Sequence, residues 1–184
     1  AAAYALNNLL NLKKSKKGLA IIAHTAEVEN KTGLGDVVNQ FYGGCCLKLK
    51  PSSHFIVKKI PLNNSYTYCK YFSKLSTKSV ITNKKLKNRI NKAAENSLKK
   101  IHQLIKNKQN IYLKDIIKLS KEFAANSGLL KDKKTIQAIK NIEKNNGNAS
   151  MIMLGNAVFS NKLFNGAIKL KISILNMLTK IIEN

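Results

Sequence analysis

Leu86, Ile90, Ala93, Ser97, Ile101 and Leu104 return every three or four residues, which lays them along one face of a single long helix. A strand cannot carry that period, because its side chains change face at every residue. Thr82 or Asn83 can cap the start. Two more helical stripes follow: Leu113, Ile116, Ile117, Phe123 and Ala124, then Ile136, Ile139 and Ile142, the last ended by Gly147. Before them, Leu19, Ile22, Ala23 and Ala26 predict a helix from about Lys17 to Glu29. The Ala/Leu-rich opening reads as the tail of a helix that begins upstream. Strand-like runs alternate with these helices. Cys45–Lys50 and Phe55–Ile60, on either side of Pro51-Ser52-Ser53, have the mixed pattern of a half-buried hairpin. Tyr66–Phe72, Ala149–Leu154 with its Gly-Asn turn, and Ala167–Ile172 add strands, and a closing helix runs to Ile182. Helices with separated strands predict an α+β fold, and Pro61 to Asn64 marks a boundary between domains 1–60 and 61–184.

Length and composition narrow the function. A chain of 184 residues, 44% of them apolar, can bury a core and is neither disordered nor fibrous. No apolar run reaches 18 residues and no basic segment feeds an apolar leader, so the sequence predicts neither a membrane helix nor secretion. Three cysteines, two of them adjacent, make no disulfide framework and no zinc site, which fits a reducing cytoplasm. The formal charge of +24 would ordinarily suggest nucleic acid. Yet Arg89 is the only arginine among 33 basic residues, and the lysines are dispersed. Lys, Asn and Ile together supply 75 of the 184 residues, the signature of an AT-rich coding sequence. The charge is therefore read as compositional drift, and a nucleic-acid-binding module is the minor alternative.

Against that drift, acids and glycines stand out. Three of the nine acids, Glu27, Glu29 and Asp36, fall within ten positions, beside Gly33 and Gly35. Two glycines one residue apart let backbone approach a ligand, and an aspartate directly after them can accept a hydroxyl proton. A glutamate on the preceding helix suits Mg²⁺, which takes one or two carboxylates together with phosphate oxygens. The same pattern also fits an ordinary helix end with solvated acids. His24 reads as a structural histidine whose nearness to Glu27 leaves ligand binding open. Ala149–Phe159 fits either a substrate-lining strand and turn or a core strand with core-packed Met and Phe.

The string from Ala23 to Gly44, AHTAEVENKTGLGDVVNQFYGG, resembles the middle motif of archaeal pantoate kinases, within the GHMP kinase superfamily. Leu119–Leu129 (LSKEFAANSGL) and Ala149–Ser160 (ASMIMLGNAVFS) continue the likeness, the latter resembling the family's C-terminal glycine loop. The opening AAAYALNNLLNL resembles the helix that follows its ATP-binding loop. The resemblance implies a two-lobed kinase that moves the γ-phosphate of ATP to pantoate, with Mg²⁺, on the archaeal route to coenzyme A. Residues 1–60 would be the end of the N-terminal lobe and 61–184 most of the C-terminal lobe. It implies Asp36 as the catalytic aspartate and Glu27 as the Mg²⁺ ligand, with Glu29 as competitor. Thr32, Gly33 and Gly35 would shape the acceptor pocket, with Gly155 and Asn156 on its opposite wall. A homodimer is common among such relatives, though the sequence does not decide it. Another GHMP acceptor, homoserine or a mevalonate derivative, is the alternative. Ala157 departs from the Thr of the family pattern, and the phosphate-binding loop lies outside the sequence. The chain alone is thus expected not to transfer phosphate or to bind ATP at micromolar strength.

Overall fold

The computed structural model describes residues 2–32, 36–49, 55–62, 66–107 and 110–172. The expected closing helix to Ile182, Gly33 and Gly35 lie outside the described residues. Backbone contacts divide the chain into two compact units, one within Ala1–Ile60 and the other Pro61–Ile172.

The first unit holds α1 (Ala2–Leu9), α2 (Lys16–Glu29), α3 (Asp36–Tyr42) and a hairpin of β1 (Cys45–Lys48) and β2 (Val57–Ile60). Ser15 starts α2: its Oγ accepts the Gly18 N–H at 3.1 Å, satisfying a donor that the first turn leaves unpaired. Gly43 and Gly44, at φ 64° and 70°, turn the chain from α3 into β1 through a left-handed bend that side-chain-bearing residues resist. The strands pair antiparallel with Cys45 opposite Ile60 and Lys48 opposite Val57. A two-stranded ribbon is marginal alone in water. Here it is held by a core of Ala20, Val37, Val38 and Phe55, with Phe41, Tyr42 and Val57 packed around it. Phe55 is 1% exposed, and the Tyr42 hydroxyl donates to its carbonyl at 2.9 Å. Burying a ring of that size contributes roughly 1.5–3 kcal/mol, and with the cavity left behind Phe55→Ala should cost this unit about 3–5 kcal/mol.

The second unit sets helices against an antiparallel sheet: β3 (Tyr66–Ser73), α4 (Thr77–Thr82), α5 (Lys84–Asn107), α6 (Leu113–Ser127), α7 (Lys133–Lys144), β4 (Ala149–Met151), β5 (Asn156–Ser160) and β6 (Ile168–Lys171). The strand order is β4-β5-β3-β6, with every neighbouring pair antiparallel. Asn83 caps α5, its Oδ1 accepting from the Leu86 N–H at 2.9 Å. Asp132 caps α7 through the N–H and hydroxyl of Thr135. Ile139 and Ile142 of α7 bury against Ala149 and Val158 of the sheet, while Ala124, Leu129, Val80 and Met151 form an adjoining cluster.

Three details differ from the sequence reading. The apolar run Ala149–Leu154 is not one strand: β4 ends at Met151, a turn follows, and Asn156–Ser160 forms the central strand β5. Met153 is 48% exposed on that turn and is not core. Gly147 does not end α7 by its own freedom; Asn145 caps the helix and Asn146 takes the left-handed conformation at φ 57°. Gly147 is glycine for space, because a Cβ there would lie 2.6 Å from Ile142 Cγ2 and 3.1 Å from the Ile142 carbonyl oxygen.

Candidate active site

Two carboxylates of the Ala23–Gly44 stretch, Glu27 and Asp36, act on each other within the first unit. Glu27 sits on the last turns of α2 and Asp36 opens α3. The two are electrically coupled: Glu27 is held above the ordinary glutamate range first by burial and then by the negative charge of Asp36. Glu27 Oε2 is buried and has no hydrogen-bond partner. A half-buried carboxylate with an orphaned oxygen and a second carboxylate near it is an unfavourable arrangement until a cation reaches it. Glu29, two residues on and about 200° round the helix, is exposed. Of the two glutamates, Glu27 is thus the one whose orphaned oxygen would suit a divalent cation such as Mg²⁺. Among the described residues no group of three or more His, Cys, Asp or Glu side chains is gathered for a metal.

Thr32 is exposed and closes α2: its N–H donates to the Glu27 carbonyl at 3.0 Å and its hydroxyl to the same oxygen at 3.5 Å. Asp36 is exposed, while Val37 and Val38 directly after it are buried and anchor α3 to the core. A hydrophobic pair thus sets where the aspartate emerges. Glu27 also borders a cavity of about 570 Å³ between α1, α2 and α3, lined mainly by alanine and other aliphatic side chains, with Tyr4 and Gln40 as further polar groups.

His24 reads from the sequence as structural, with ligand binding left open. It lies one turn before Glu27, is 6% exposed, packs edge-on to Phe55 at 5.5 Å between ring centroids, and leaves Nδ1 buried without a partner. Burial, then the Lys48 ammonium, holds its pKa below the ordinary histidine value, so the ring is neutral at pH 7. Lys48, half-buried on β1, is itself lowered by burial. His24 at i and Glu27 at i+3 share a helix face, which is the signal in the sequence that could have grouped them. Lys48 carries no such signal, because only the hairpin brings it to α2.

Gly155 and Asn156 belong to the second unit. Gly155 N–H donates to the Ile152 carbonyl at 2.9 Å, closing the turn between β4 and β5. A Cβ at Gly155 would meet only that carbonyl oxygen, at 3.8 Å, so packing within this unit does not demand a glycine there. The Asn156 amide donates to Ser73 Oγ at 2.9 Å and is committed to the sheet. Beside the turn lies an apolar cavity of about 340 Å³ walled by Tyr71, Met153, Leu154 and Ile168.

The chain is 38% identical over 155 residues to a pantoate kinase of Methanocaldococcus jannaschii, a match covering 84% of this chain and 53% of that protein. It is 31% identical over 157 residues to a pantoate kinase of Methanospirillum hungatei, covering 85% and 50%. A solved phosphotransferase related to the coenzyme A biosynthesis pathway superposes with a TM-score of 0.66 at 26% identity, covering 85% of this chain and 49% of that one. No family model matches. The chain spans about half the length of the relatives it matches. No helix among the described residues is long and apolar enough to cross a membrane.

Proposed function

The chain is a relative of archaeal pantoate kinases, and on that footing we propose that it is part of an ATP-dependent kinase that phosphorylates the hydroxyl of pantoate in coenzyme A biosynthesis. The observation that carries the proposal is the pair Glu27–Asp36, one carboxylate holding a buried unsatisfied oxygen and the other presented at the start of α3. Asp36 orients the acceptor hydroxyl and takes its proton as the oxygen attacks the γ-phosphorus of ATP, whose bond to the bridging oxygen breaks to release ADP. Glu27 would hold Mg²⁺, which when bound would supply positive charge beside the phosphates. Thr32, Gly33 and Gly35 shape the acceptor side. Gly155 is kept bare so that ligand can pass close to the backbone, with Asn156 fixing the turn's departure into β5. The neutral His24 and the Lys48 ammonium supply a hydrogen-bonding and a cationic contact on the acceptor side, where the carboxylate of a hydroxy acid would need them. In this reading residues 1–60 and 61–184 are parts of the two lobes of a GHMP-type kinase.

Phosphoryl transfer rests on alignment and charge neutralisation. In the whole protein, pantoate-dependent ADP release is the deciding signal, measured against homoserine and mevalonate. Asp36→Asn should lower turnover by about 10²–10⁴-fold, the range for losing a positioned base, with ATP affinity nearly unchanged. Turnover close to wild type would remove Asp36 from the mechanism.

A further inference from the structure

In the second unit a cavity of about 890 Å³ runs beside α7, well away in sequence from Glu27 and Asp36. Lys133 and Lys134 reach it from the first turn of α7, Lys70 from β3 and Lys162 from the segment after β5, and no carboxylate lines it. In so lysine-rich a chain, four lysines can gather by composition, so what matters is whether their charge is already answered. Most of the unit's carboxylates are occupied elsewhere. Glu122 pairs with Lys100, Glu143 with Lys121, and Asp115 accepts from the Tyr112 N–H; Asp132 Oδ2 accepts from Thr135 and also feels the Lys134 ammonium, so it answers that one charge in part and leaves Lys133, Lys70 and Lys162 to the cavity.

The walls are also fixed. Lys162 Nζ donates to the Asn145 carbonyl at 2.5 Å and Lys70 Nζ to the Asn165 carbonyl at 3.0 Å, which pins two ammonium groups while leaving each with further donors. Phe72 and Phe164 line the same cavity and pack from behind against the Ile139–Ile142–Val158 core, so their rings are held as a rigid apolar floor. Cations around an aromatic floor, with no acid among them, match an anion that carries an apolar body.

We propose that this cavity binds an organic phosphate, its phosphate held by Lys133 and Lys134 and its apolar body laid on Phe72 and Phe164. The site is independent of the kinase reading.

Phenyl phosphate and inorganic phosphate, titrated into this chain by calorimetry or NMR, test it. Phenyl phosphate should saturate at millimolar concentration or below and bind more tightly than inorganic phosphate. Lys133→Gln/Lys134→Gln should weaken it about tenfold, the loss of two charged contacts. The matched control is Lys84→Gln/Lys85→Gln, which removes the same pair from the first turn of α5, where these residues do not line the cavity. It should leave affinity unchanged, as should Asp36→Asn. Four outcomes overturn the proposal: no saturation, equal affinity for the two phosphates, equal loss in both lysine pairs, or loss in Asp36→Asn.

Discussion

Arg89 is the only arginine in a chain that writes lysine almost everywhere else, and the structure gives it one task. From α5 its Nε donates to the Asn126 carbonyl at 2.7 Å, and its Nη2 to the Ala125 carbonyl at 3.4 Å, an oxygen that also accepts the Gly128 N–H at 3.1 Å; both carbonyls belong to the last turn of α6. Gly128, at φ 75°, turns the chain directly beneath the guanidinium. A Cβ there would lie 2.8 Å from Arg89 Cζ and Nη1. Gly128→Ala therefore carries two penalties. Holding alanine in the left-handed region costs about 1–2 kcal/mol. Pushing the guanidinium off its carbonyls costs about 0.5–1 kcal/mol, kept small because Arg89 is exposed. The sum is about 1.5–3 kcal/mol, or a fall in Tm of roughly 4 °C per kcal/mol for a unit of this size. Urea unfolding of Gly128→Ala, Arg89→Ala and the double variant measures both parts. Once Arg89 is truncated the clash has nothing to strike, so the double variant should be less destabilised than the two singles added, by about 0.5–1 kcal/mol. Gly128→Asn should recover part of the backbone penalty only, since asparagine tolerates this conformation. A neutral Gly128→Ala, or strictly additive effects, would refute the reasoning.

Glu27 should make stability depend on pH in an unusual direction for a carboxyl. Folding raises its pKa above 4.5, so its contribution is fully present below that value and is lost as pH rises through the folded value. Glu27→Gln should therefore be more stable than wild type at pH 7–8 and lose the advantage near pH 4; denaturant midpoints at both pH values check this, and a variant less stable at pH 7 would contradict it. Burial, then the neighbouring Cys46, pushes the Cys45 thiol up to about 11. At pH 8 its thiolate fraction is about a hundredfold below that of an ordinary cysteine, and iodoacetamide followed by peptide mass spectrometry should find Cys45 labelled far more slowly in the native than in the unfolded chain. Gly147→Ala drives a methyl into Ile142 and should cost about 1–3 kcal/mol in thermal unfolding, whereas Gly155→Ala, with open space around it, should leave stability nearly unchanged.

The elements most legible in the sequence were those whose apolar period ran long enough to exclude alternatives. The α5 face holds as read, with Ala93 buried at its centre and Asn83 as its cap. The hairpin β1–β2 and strand β3 also lie where alternation placed them, within two residues. Short elements were not legible: α4 is six residues long, too short for a period to register, and Ser76 capping it has many equivalents in so polar a chain. Strand β5 was hidden because its flanking Gly155-Asn156 reads as a turn closing the apolar run, while the register places Asn156 opposite Ser73 within the sheet. The candidate site was legible as a stretch of acids and glycines. His24 entered only as a neighbour of Glu27, and Lys48 was indistinguishable from the other lysines.

The long helices α5, α6 and α7 and the hairpin followed from the sequence alone, because side-chain period is a local property of the chain. So did the concentration of scarce acids between residues 27 and 36, since departures from a strong compositional bias need no fold to be seen. Which of those acids loses water and which stays exposed was a tertiary decision. Glu27 and Glu29 are two residues apart with the same chemistry, and on a helix that spacing puts them on nearly opposite faces. Only the packing of α3 beside α2 selects the face that loses water, leaves one oxygen unsatisfied and brings Asp36 to it. The same holds for Arg89 and for the lysines beside α7. Charge is written residue by residue, but its value depends on which groups the fold brings close and how much solvent it leaves between them.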